Sequence, residues 1–271
     1  MPRDENDLIW MDGEFTAAAS ISAPSSAALY GKGVFTTVRI VGGKPWLFER
    51  HIQRLMRNAV ALEVDVTSLK NIDIEAALIE LMRRCGLDEG RARLTLFDTS
   101  AAPHWSKRSA ASSSLMINAA PLRPVPRPLS LTISPFLVNS TSPLAGIKSC
   151  NYLENILALD DARSRGFNEA VRLNENRKIT SVVMANVFWQ RGGRLFTPAL
   201  ETGCLDGTTR GFILENLDVE EIIADVAELE RAESIYLSSA GLGIVAADSI
   251  DGRELRTNDR TFVDLIKRLP Q

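Results

Sequence analysis

Apolar residues in the first half of the chain repeat at two spacings, one typical of strands and one typical of helices. Residues 33–41 are β-branched and aromatic, break at Gly42-Gly43 and resume as a second apolar stretch, which predicts a hairpin. Between residues 49 and 62 apolar side chains recur at three- and four-residue steps, which predicts an amphipathic helix. The same two patterns predict strands at 8–11, 45–48, 91–97 and 114–118, and a helix over 73–84.

The second half continues this mixture of strands and helices. The patterns predict strands at 129–133, 234–238 and 245–250, hairpins over 170–183 and 187–197, and helices over 151–165, 208–214, 219–229 and from about Arg260. The strands come in hairpins rather than in strict alternation with helices. The predicted fold class is therefore α+β.

A proline-rich stretch separates the two halves. Four prolines fall within residues 121–128, and such a stretch continues neither a helix nor a central strand. We interpret residues 119–128 as a linker between an N-terminal α+β domain at 1–118 and a C-terminal α+β domain at 129–271. An edge segment inside a single domain is the alternative.

Composition and charge argue against several classes of protein. The 271 residues include 31 Lys plus Arg and 34 Asp plus Glu, so the net charge of -3 leaves no basic excess for binding nucleic acid. No apolar run approaches the roughly 18–20 residues that cross a bilayer, and the polar N-terminus does not have the pattern of a signal peptide. The three cysteines are scattered and odd in number. We expect a cytoplasmic protein that binds neither nucleic acid nor membrane.

The motifs of several common sites are missing. His51 and His104 lie 53 residues apart and no Cys-x-x-Cys occurs, so we expect no metal site. Neither Gly-x-Ser-x-Gly nor a P-loop is present, which argues against an α/β-hydrolase and against that nucleotide site. The stretch from Gly241 to Ala246 matches a dinucleotide-binding pattern in its letters. Because its continuation reads as a strand, we interpret it as tightly packed backbone.

Three features have the chemistry of an anion site. Gly207-Thr208-Thr209 stands at a predicted helix start, where backbone N–H groups and the helix dipole favour a phosphate. Residues 238–241 place hydroxyls and amides after a strand, and Arg54 on a predicted helix could add a charge-assisted contact. Each also has a plainer interpretation, as an N-cap, a turn and a solvated arginine.

Lys148 is a candidate nucleophile. It lies between Ile147 and Cys150 at the end of a predicted strand. A lysine in apolar surroundings has a lowered pKa and can form a Schiff base, although most lysines do nothing of the kind.

Five blocks of sequence point to one family when they are taken together. They are Tyr30–Arg39, His51–Leu55, Ile147–Leu153, Met184–Phe188 and Cys204–Arg210. In this order and at these intervals they resemble the class IV (fold type IV) pyridoxal-phosphate enzymes, which comprise branched-chain aminotransferases, D-amino-acid aminotransferases and 4-amino-4-deoxychorismate lyases. The resemblance spans about residues 8–252. It implies a two-domain fold like that of the D-amino-acid aminotransferases, and a homodimer.

The resemblance also implies roles at the cofactor, pyridoxal 5'-phosphate. Lys148 matches the lysine that holds the cofactor as a Schiff base and moves the proton at the substrate Cα. The residues that match phosphate contacts are Arg54, Thr208, Thr209, Ser239 and Ala240.

The remaining implied roles concern the ring and the substrate. Tyr152 matches a tyrosine near the ring hydroxyl in branched-chain enzymes, although its distance in sequence from Lys148 is one residue shorter than in those enzymes. Leu205 would pack on the ring face. Arg39 and Arg93 lie in predicted strands that line the substrate side, and they are candidates for binding a substrate carboxylate.

Ser181 departs from the family pattern. Five residues before Asn186 the family normally has a glutamate, which keeps the ring nitrogen of the cofactor protonated, and Ser181 stands there in this chain. A neutral hydroxyl stabilises a pyridinium far less than a carboxylate does. We therefore expect a largely neutral ring and slow transamination, which Ser181→Glu should accelerate.

The expected function is transfer of an amino group from a small amino acid to a 2-keto acid. The alternative is elimination of pyruvate from aminodeoxychorismate to yield 4-aminobenzoate for folate synthesis. The Phe35–Arg39 block resembles the lyases, whereas Ile147-Lys148-Ser149 resembles the D-amino-acid branch, so the two signals conflict. A second alternative is a homologue that binds the cofactor but has lost or altered turnover, because Ser181 replaces the glutamate.

Overall fold

The chain folds into two units, which are described here one at a time. The computed structural model describes residues 8–105, 107, 110–257, 262 and 264. Within this part, the first unit comprises the residues up to Leu122 together with Ile147–Asn151, and the second comprises Arg123–Gly146 and the residues from Tyr152 onward. The segment around Lys148 therefore belongs to the first unit, whereas its position in the chain predicts the C-terminal domain. The reason is a strand pairing described below.

A six-stranded antiparallel sheet forms the frame of the first unit. Its strands are β1 (Ile9–Met11), β2 (Glu14–Thr16), β3 (Gly33–Val41), β4 (Lys44–Pro45), β5 (Gly90–Asp98) and β6 (Ser113–Ala120). Their order across the sheet is β2-β1-β6-β5-β3-β4. The helices are α1 (Ser26–Tyr30), α2 (Phe48–Ala61) and α3 (Ile74–Arg84), with a 3-10 turn at Thr67–Leu69.

The two faces of this sheet differ in character. The apolar cluster of the unit joins the even-numbered residues Val34, Val38 and Ile40 of β3 with buried residues of α2 and α3. Because side chains alternate along a strand, the odd-numbered residues of β3 lie on the opposite face. That second face carries Phe35 and Arg39, whereas Thr36 lies on the face that the helices cover.

The second unit contains two five-stranded sheets. Its strands are β7 (Ser130–Ile133), β8 (Glu169–Leu173), β9 (Ile179–Val182), β10 (Asn186–Arg191), β11 (Arg194–Pro198), β12 (Val219–Ile222), β13 (Ser234–Ser239), β14 (Gly243–Ala246), β15 (Ser249–Ile250) and β16 (Arg253–Glu254). The sheet orders are β12-β11-β10-β13-β14 and β16-β15-β7-β8-β9. The helices are α4 (Leu153–Ser164), α5 (Thr208–Asn216) and α6 (Ala227–Glu230), with a 3-10 turn at Leu200–Thr202.

The main core of the second unit lies where these two sheets pack together. Val171 of β8 and Ile179 of β9 belong to the same buried cluster as Trp189 of β10 and Leu237 of β13. Helix α4 covers the other face of β8 through Ala158, Leu159 and Ala162, which cluster with Ala170. Helix α5 packs against β13, since Ile213 and Tyr236 share a third cluster.

The helix predicted over 219–229 is wrong. Val219–Ile222 is strand β12, which pairs parallel with β11, and only Ala227–Glu230 is helical. Glu220 and Glu221 form ion pairs with Arg194 and Arg210 respectively. Pairing with the edge of the sheet overrides the local helical propensity, as tertiary context often does.

Two smaller differences concern strands. The strand predicted at 45–48 ends at Pro45, because α2 begins at Phe48. Residues 245–250 divide between β14 and β15, which belong to different sheets. The helix predicted from about Arg260 falls mostly outside the described residues.

The Gly241–Ala246 stretch forms part of the antiparallel β13–β14 hairpin: it includes residues of the turn and all of β14, so it has no place in a strand–helix–strand unit.

The described residues contain neither a helix suited to a membrane nor a cluster of metal ligands. No helix among them is both long and apolar enough to cross a membrane. No group of three or more His, Cys, Asp or Glu among them is arranged to hold a metal ion.

Candidate active site

Lys148 lies in a short extended segment that pairs with the start of β3. The Phe35 N–H donates to the Lys148 carbonyl and the Cys150 N–H donates to the Gly33 carbonyl, both at 2.9 Å. Val34 and Ser149 form the antiparallel bridge between them. The register puts Lys148 on the same face as Phe35, and its Nζ lies 4.6 Å from the centroid of that ring.

Gly33 allows this close pairing. A Cβ at Gly33 would lie 2.8 Å from the Leu96 carbonyl oxygen and 3.1 Å from Cys150 Sγ, so a side chain there would push the segment away. The glycine thereby determines how close the Lys148 segment comes to β3.

The surroundings of Lys148 favour its neutral form. The Arg93 guanidinium lies over the same Phe35 ring, 3.6 Å from the centroid. Burial, together with the nearby charges of Arg54 and Arg93, lowers the pKa of Lys148 from 10.5 to about 7. An amine with this pKa is substantially unprotonated at neutral pH, which is the state that attacks a carbonyl carbon.

Arg54 is held by a buried relay from helix α2 to β3. Its Nη2 donates to Thr36 Oγ1 at 2.9 Å, and Thr36 Oγ1 lies 2.7 Å from His51 Nδ1. The Thr36 hydroxyl thus accepts from Arg54 and shares a second hydrogen bond with the imidazole. Burial first, and then Arg54 and Lys148, lowers the pKa of His51 to about 3, so the imidazole is neutral. The relay fixes the guanidinium without adding a charge.

Two further arginines share the face of β3 and β5 that carries Phe35. Arg93 pairs with Thr37, and Arg39 pairs directly with Arg91. Like charges directly opposite each other destabilise a ladder, so this face favours an anion. The buried Nε of Arg39 has no hydrogen-bond partner. The two predicted carboxylate-binding residues therefore lie on the same face as Lys148.

In the second unit, the start of α5 presents donors for an anion. Gly207 is the N-cap residue and no side chain caps the helix, which begins at Thr208. Thr208 is 8% exposed and Thr209 1% exposed. The buried Thr209 Oγ1 has no hydrogen-bond partner, although a buried hydroxyl is costly to leave unpaired. A bound anionic oxygen would satisfy it.

Asn186 connects this helix start to the end of β13. It is the cross-strand partner of Ser238, and its Nδ2 donates to the Leu205 carbonyl at 2.8 Å. A Cβ at Gly207 would lie 2.0 Å from Asn186 Oδ1, so the glycine is required at that contact. The Ser238 hydroxyl is buried and has no partner. The start of α5 and the strand partner of Asn186 thus each carry one unsatisfied hydroxyl, on Thr209 and Ser238 respectively.

The other predicted cofactor residues of this unit lie at element boundaries. Ser239 ends β13 and its Oγ accepts from the Leu242 N–H at 3.2 Å, so it caps the turn. Ala240 follows it and is buried. Tyr152 is the N-cap residue of α4. Leu205 precedes α5 and is partly buried.

Ser181 lies in β9, directly opposite Arg172 of β8. Its Oγ is 3.5 Å from Thr180 Oγ1, and the residue is partly buried. The β8–β9 pairing therefore gives Ser181 an arginine neighbour across the ladder.

Sequence reasoning missed three residues that the structure brings into these two sets, and it named a fourth, Ser238, only as part of the 238–241 cluster. Thr36 and His51 hold Arg54, while Asn186 lies opposite Ser238. Two signals could have found them: His51 is one helical turn before Arg54 on α2, and Ser238 is two residues after Tyr236 on the face of β13 that packs against α5.

Comparisons with known proteins agree on one family. Residues 33–250 match the profile of the family described as amino-transferase class IV. The chain is 27% identical over 255 residues to aminodeoxychorismate lyase of Bacillus subtilis (strain 168), covering 90% of this chain and 87% of that protein. It is 25% identical over 272 residues to branched-chain-amino-acid aminotransferase of Escherichia coli (strain K12), covering 93% and 87%. The crystal structure of branched-chain aminotransferase from Thermoproteus uzoniensis with norvaline superposes with a TM-score of 0.86 at 25% identity, covering 96% and 93%.

Proposed function

Because the chain belongs to the class IV aminotransferase family and has the α+β fold type IV architecture, we propose that it is a pyridoxal 5'-phosphate enzyme that transfers an amino group from a small amino acid to a 2-keto acid. When bound, the cofactor supplies an aldehyde that forms a Schiff base with an amine and a ring that withdraws electrons. The chain supplies the amine, the anion-binding groups and the residue that moves the proton.

The observation that carries the proposal is the environment of Lys148. Its amine lies over Phe35 beside Arg93, and its pKa is about 7. A neutral amine at this position would be the group that holds the cofactor at neutral pH. Once displaced by a substrate amine, Lys148 Nζ would be the base that takes the proton from the substrate Cα and the acid that gives it back.

Thr208, Thr209 and the backbone N–H groups at the start of α5 fit the cofactor phosphate. This proposal is supported by the two buried hydroxyls, Thr209 Oγ1 and Ser238 Oγ, that lack partners. A phosphate supplies several strong acceptor oxygens, and a helix start favours its charge. In the same proposal Arg54, Ser239 and Ala240 also contact the phosphate, Leu205 packs on the ring and Tyr152 lies near the ring hydroxyl.

Arg39 and Arg93 fit the substrate carboxylate. Both lie on the Phe35 face of β3 and β5, where Arg39 stands directly opposite Arg91, so three guanidinium groups share that face. A carboxylate is a bidentate acceptor that matches the guanidinium geometry. This arrangement supports binding of an amino or keto acid with its carboxylate toward β3.

Ser181 favours a second candidate, the 4-amino-4-deoxychorismate lyase reaction. The residue lacks the charge that would hold a protonated ring, and elimination depends less on the ring because a leaving group takes up the electrons. The similarity to the lyase of Bacillus subtilis supports the same candidate.

The first experiment tests the cofactor and the lysine. The purified protein is mixed with pyridoxal 5'-phosphate, and absorption spectra are recorded before and after borohydride for wild type and Lys148→Ala. We expect a near-visible absorption band in wild type. Borohydride should link the cofactor covalently to wild type and not to Lys148→Ala. The same band in Lys148→Ala, or no band in either protein, would refute the proposal.

The second experiment separates the reactions. The loaded enzyme is incubated with amino donors plus a 2-keto acid, and separately with aminodeoxychorismate. A new keto acid identifies the aminotransferase, and 4-aminobenzoate identifies the lyase. Loading without either product identifies a homologue whose turnover is lost or altered.

We further propose a cytoplasmic homodimer. The presence of Cys85, Cys150 and Cys204 as thiols supports a reducing compartment, and the dimer is what the family resemblance implies. Sedimentation of the purified protein measures the assembly.

A further inference from the structure

Ser181 has a buried arginine as its direct neighbour across the β8–β9 ladder. Residues directly opposite in an antiparallel pair point to the same face, with their Cβ atoms about 4.5–5.5 Å apart. Arg172, the partner of Ser181, is only 1% exposed. The register shifts after Arg172, so Thr180 is an extra residue of β9. Thr180 Oγ1 donates to the Arg172 carbonyl at 3.0 Å, which secures the pairing.

The guanidinium of Arg172 is held in place by four groups. Nε donates to the Phe136 carbonyl at 3.1 Å and Nη1 to Asn155 Oδ1 at 2.9 Å. Nη2 contacts the Glu154 carboxylate and donates to the Leu137 carbonyl at 3.5 Å. The side chain of Glu154 is 62% exposed, so water screens its charge. Glu154 therefore compensates the charge of Arg172 only in part.

The other charged groups around this face do not replace a carboxylate at Ser181. Glu169, at the start of β8, accepts from the N–H groups of Ala170, Val183 and Met184. Burial raises its pKa to about 7, and Arg163 of α4 acts on it electrostatically. Both oxygens of Glu169 are thus engaged by backbone N–H groups.

We infer that Arg172 keeps the ring nitrogen of bound pyridoxal 5'-phosphate unprotonated, and that the Ser181 hydroxyl donates a hydrogen bond to this nitrogen. The inference rests on the proposed function, because it requires the cofactor and places Ser181 at its ring nitrogen. An arginine remains charged at all working pH values, and a nearby positive charge disfavours a second one. A hydroxyl can donate to a neutral nitrogen. Arg172 acts from behind Ser181 and is a positioning residue.

This pair changes the expectation for Ser181→Glu. A carboxylate at position 181 would face Arg172 across the ladder and form an ion pair with it. That ion pair would compete with protonation of the ring, so Ser181→Glu alone would leave the ring nitrogen only partly protonated. Ser181→Glu combined with Arg172→Gln removes the competing charge, and we expect it to protonate the ring more fully.

The test uses the loaded protein and a readout other than turnover. The protein is loaded with ¹⁵N-labelled pyridoxal 5'-phosphate, and the ring-nitrogen resonance is followed from pH 5 to 9. Wild type is compared with Arg172→Gln, which removes the charge but keeps donors, and with Arg172→Lys, which keeps the charge. Arg165→Gln is the matched control, because Arg165, the C-cap residue of α4, contacts Asp161 and Thr132. Thermal melts show that each variant folds.

We expect the wild-type nitrogen to resonate at the unprotonated position at pH 7. Arg172→Gln should move the protonation midpoint upward by roughly one to three pH units, the range for one nearby charge. Arg172→Lys and Arg165→Gln should keep the wild-type midpoint.

Four results would count against the inference, and they differ in what they leave standing. A wild-type nitrogen that is protonated at pH 7, or an Arg172→Gln midpoint equal to that of wild type, would overturn the inference while the proposed function stands. If Arg172→Gln does not fold, Ser181→Glu decides: a ring nitrogen fully protonated at pH 7 in that variant would overturn the inference, and a partly protonated one would support it. Failure of borohydride to fix any cofactor on Lys148 would overturn the proposed function and the inference with it.

Discussion

The pKa of Lys148 makes a measurable prediction about its reactivity without cofactor. The value falls from 10.5 to about 7, and each pH unit multiplies the ratio of neutral to charged amine tenfold. At pH 7 the neutral fraction should therefore rise from about 1 in 3,000 to about one half. In trace acetylation of the apoprotein, followed by mass spectrometry across pH 5–11, the midpoint for Lys148 should lie near pH 7.

The same shift predicts that the lysine destabilises the folded apoprotein. Because the folded-state pKa lies below the unfolded-state value, the unfolded chain binds the extra proton between about pH 7 and 10.5. The free energy of unfolding should therefore rise with pH through this window. The penalty is at most about 4 kcal/mol at pH 7 and about 1 kcal/mol at pH 10. Lys148→Met, which has similar length and no charge, should remove it.

Two measurements check this reasoning. Urea unfolding of apoprotein at pH 7 and pH 10 should show Lys148→Met more stable than wild type at pH 7, by a margin that shrinks at pH 10. The control for acetylation is the same lysine in the urea-unfolded chain, which should show the ordinary midpoint. A folded-state midpoint near 10, or equal stabilities of the two proteins at pH 7, would refute the argument.

Three further predictions concern the second unit. Thr209→Val should weaken binding of pyridoxal 5'-phosphate at least about tenfold, the value of a hydrogen bond to a charged group, and leave the apoprotein melting temperature unchanged. The control is Thr197→Val, which loses a bond to the Val187 carbonyl: it should lower the melting temperature and leave binding of the cofactor unchanged. Gly207→Ala should lower the free energy of unfolding by about 1–3 kcal/mol in urea titrations, because its Cβ would meet Asn186 Oδ1; an unchanged midpoint would contradict the contact. Since the pKa of Glu169 is raised from 4.5 to about 7, the free energy of unfolding should fall as pH rises through that interval. The same dependence of the unfolding free energy on pH in Glu169→Gln would argue against this cause.

Most elements could be predicted from local sequence because their determinants are local. The helix over 73–84 begins after Asp73, whose carboxylate accepts from the Ala76 N–H, and ends before Gly86, which adopts a positive φ. The hairpin of β10 and β11 turns at the two glycines 192 and 193, as its sequence indicates. Strand β12 was beyond such reasoning, since Val219–Ile222 is extended only because β11 offers an edge.

The candidate site likewise contains residues that the sequence predicts and features that only the packing of the chain shows. The sequence and its resemblance were enough to single out Lys148, Arg54 and the threonines of α5 as candidates, but they did not show that the Thr209 and Ser238 hydroxyls lack partners or that Thr36 and His51 hold Arg54. Those features depend on which strands and helices pack together. The role of each predicted residue stays a proposal until the cofactor experiments are made.

By itself, the sequence determined the α+β class, the helix caps and turns, and the family, because these follow from residue spacing and from short motifs in order. The tertiary structure decided that the Lys148 segment joins β3, that Ser181 faces Arg172 and that Asn186 stands between Gly207 and Ser238. Pairing in a sheet joins residues far apart in the chain, and burial then sets the pKa of Lys148. Neither the partner nor the burial of a side chain can be read from its neighbours in sequence.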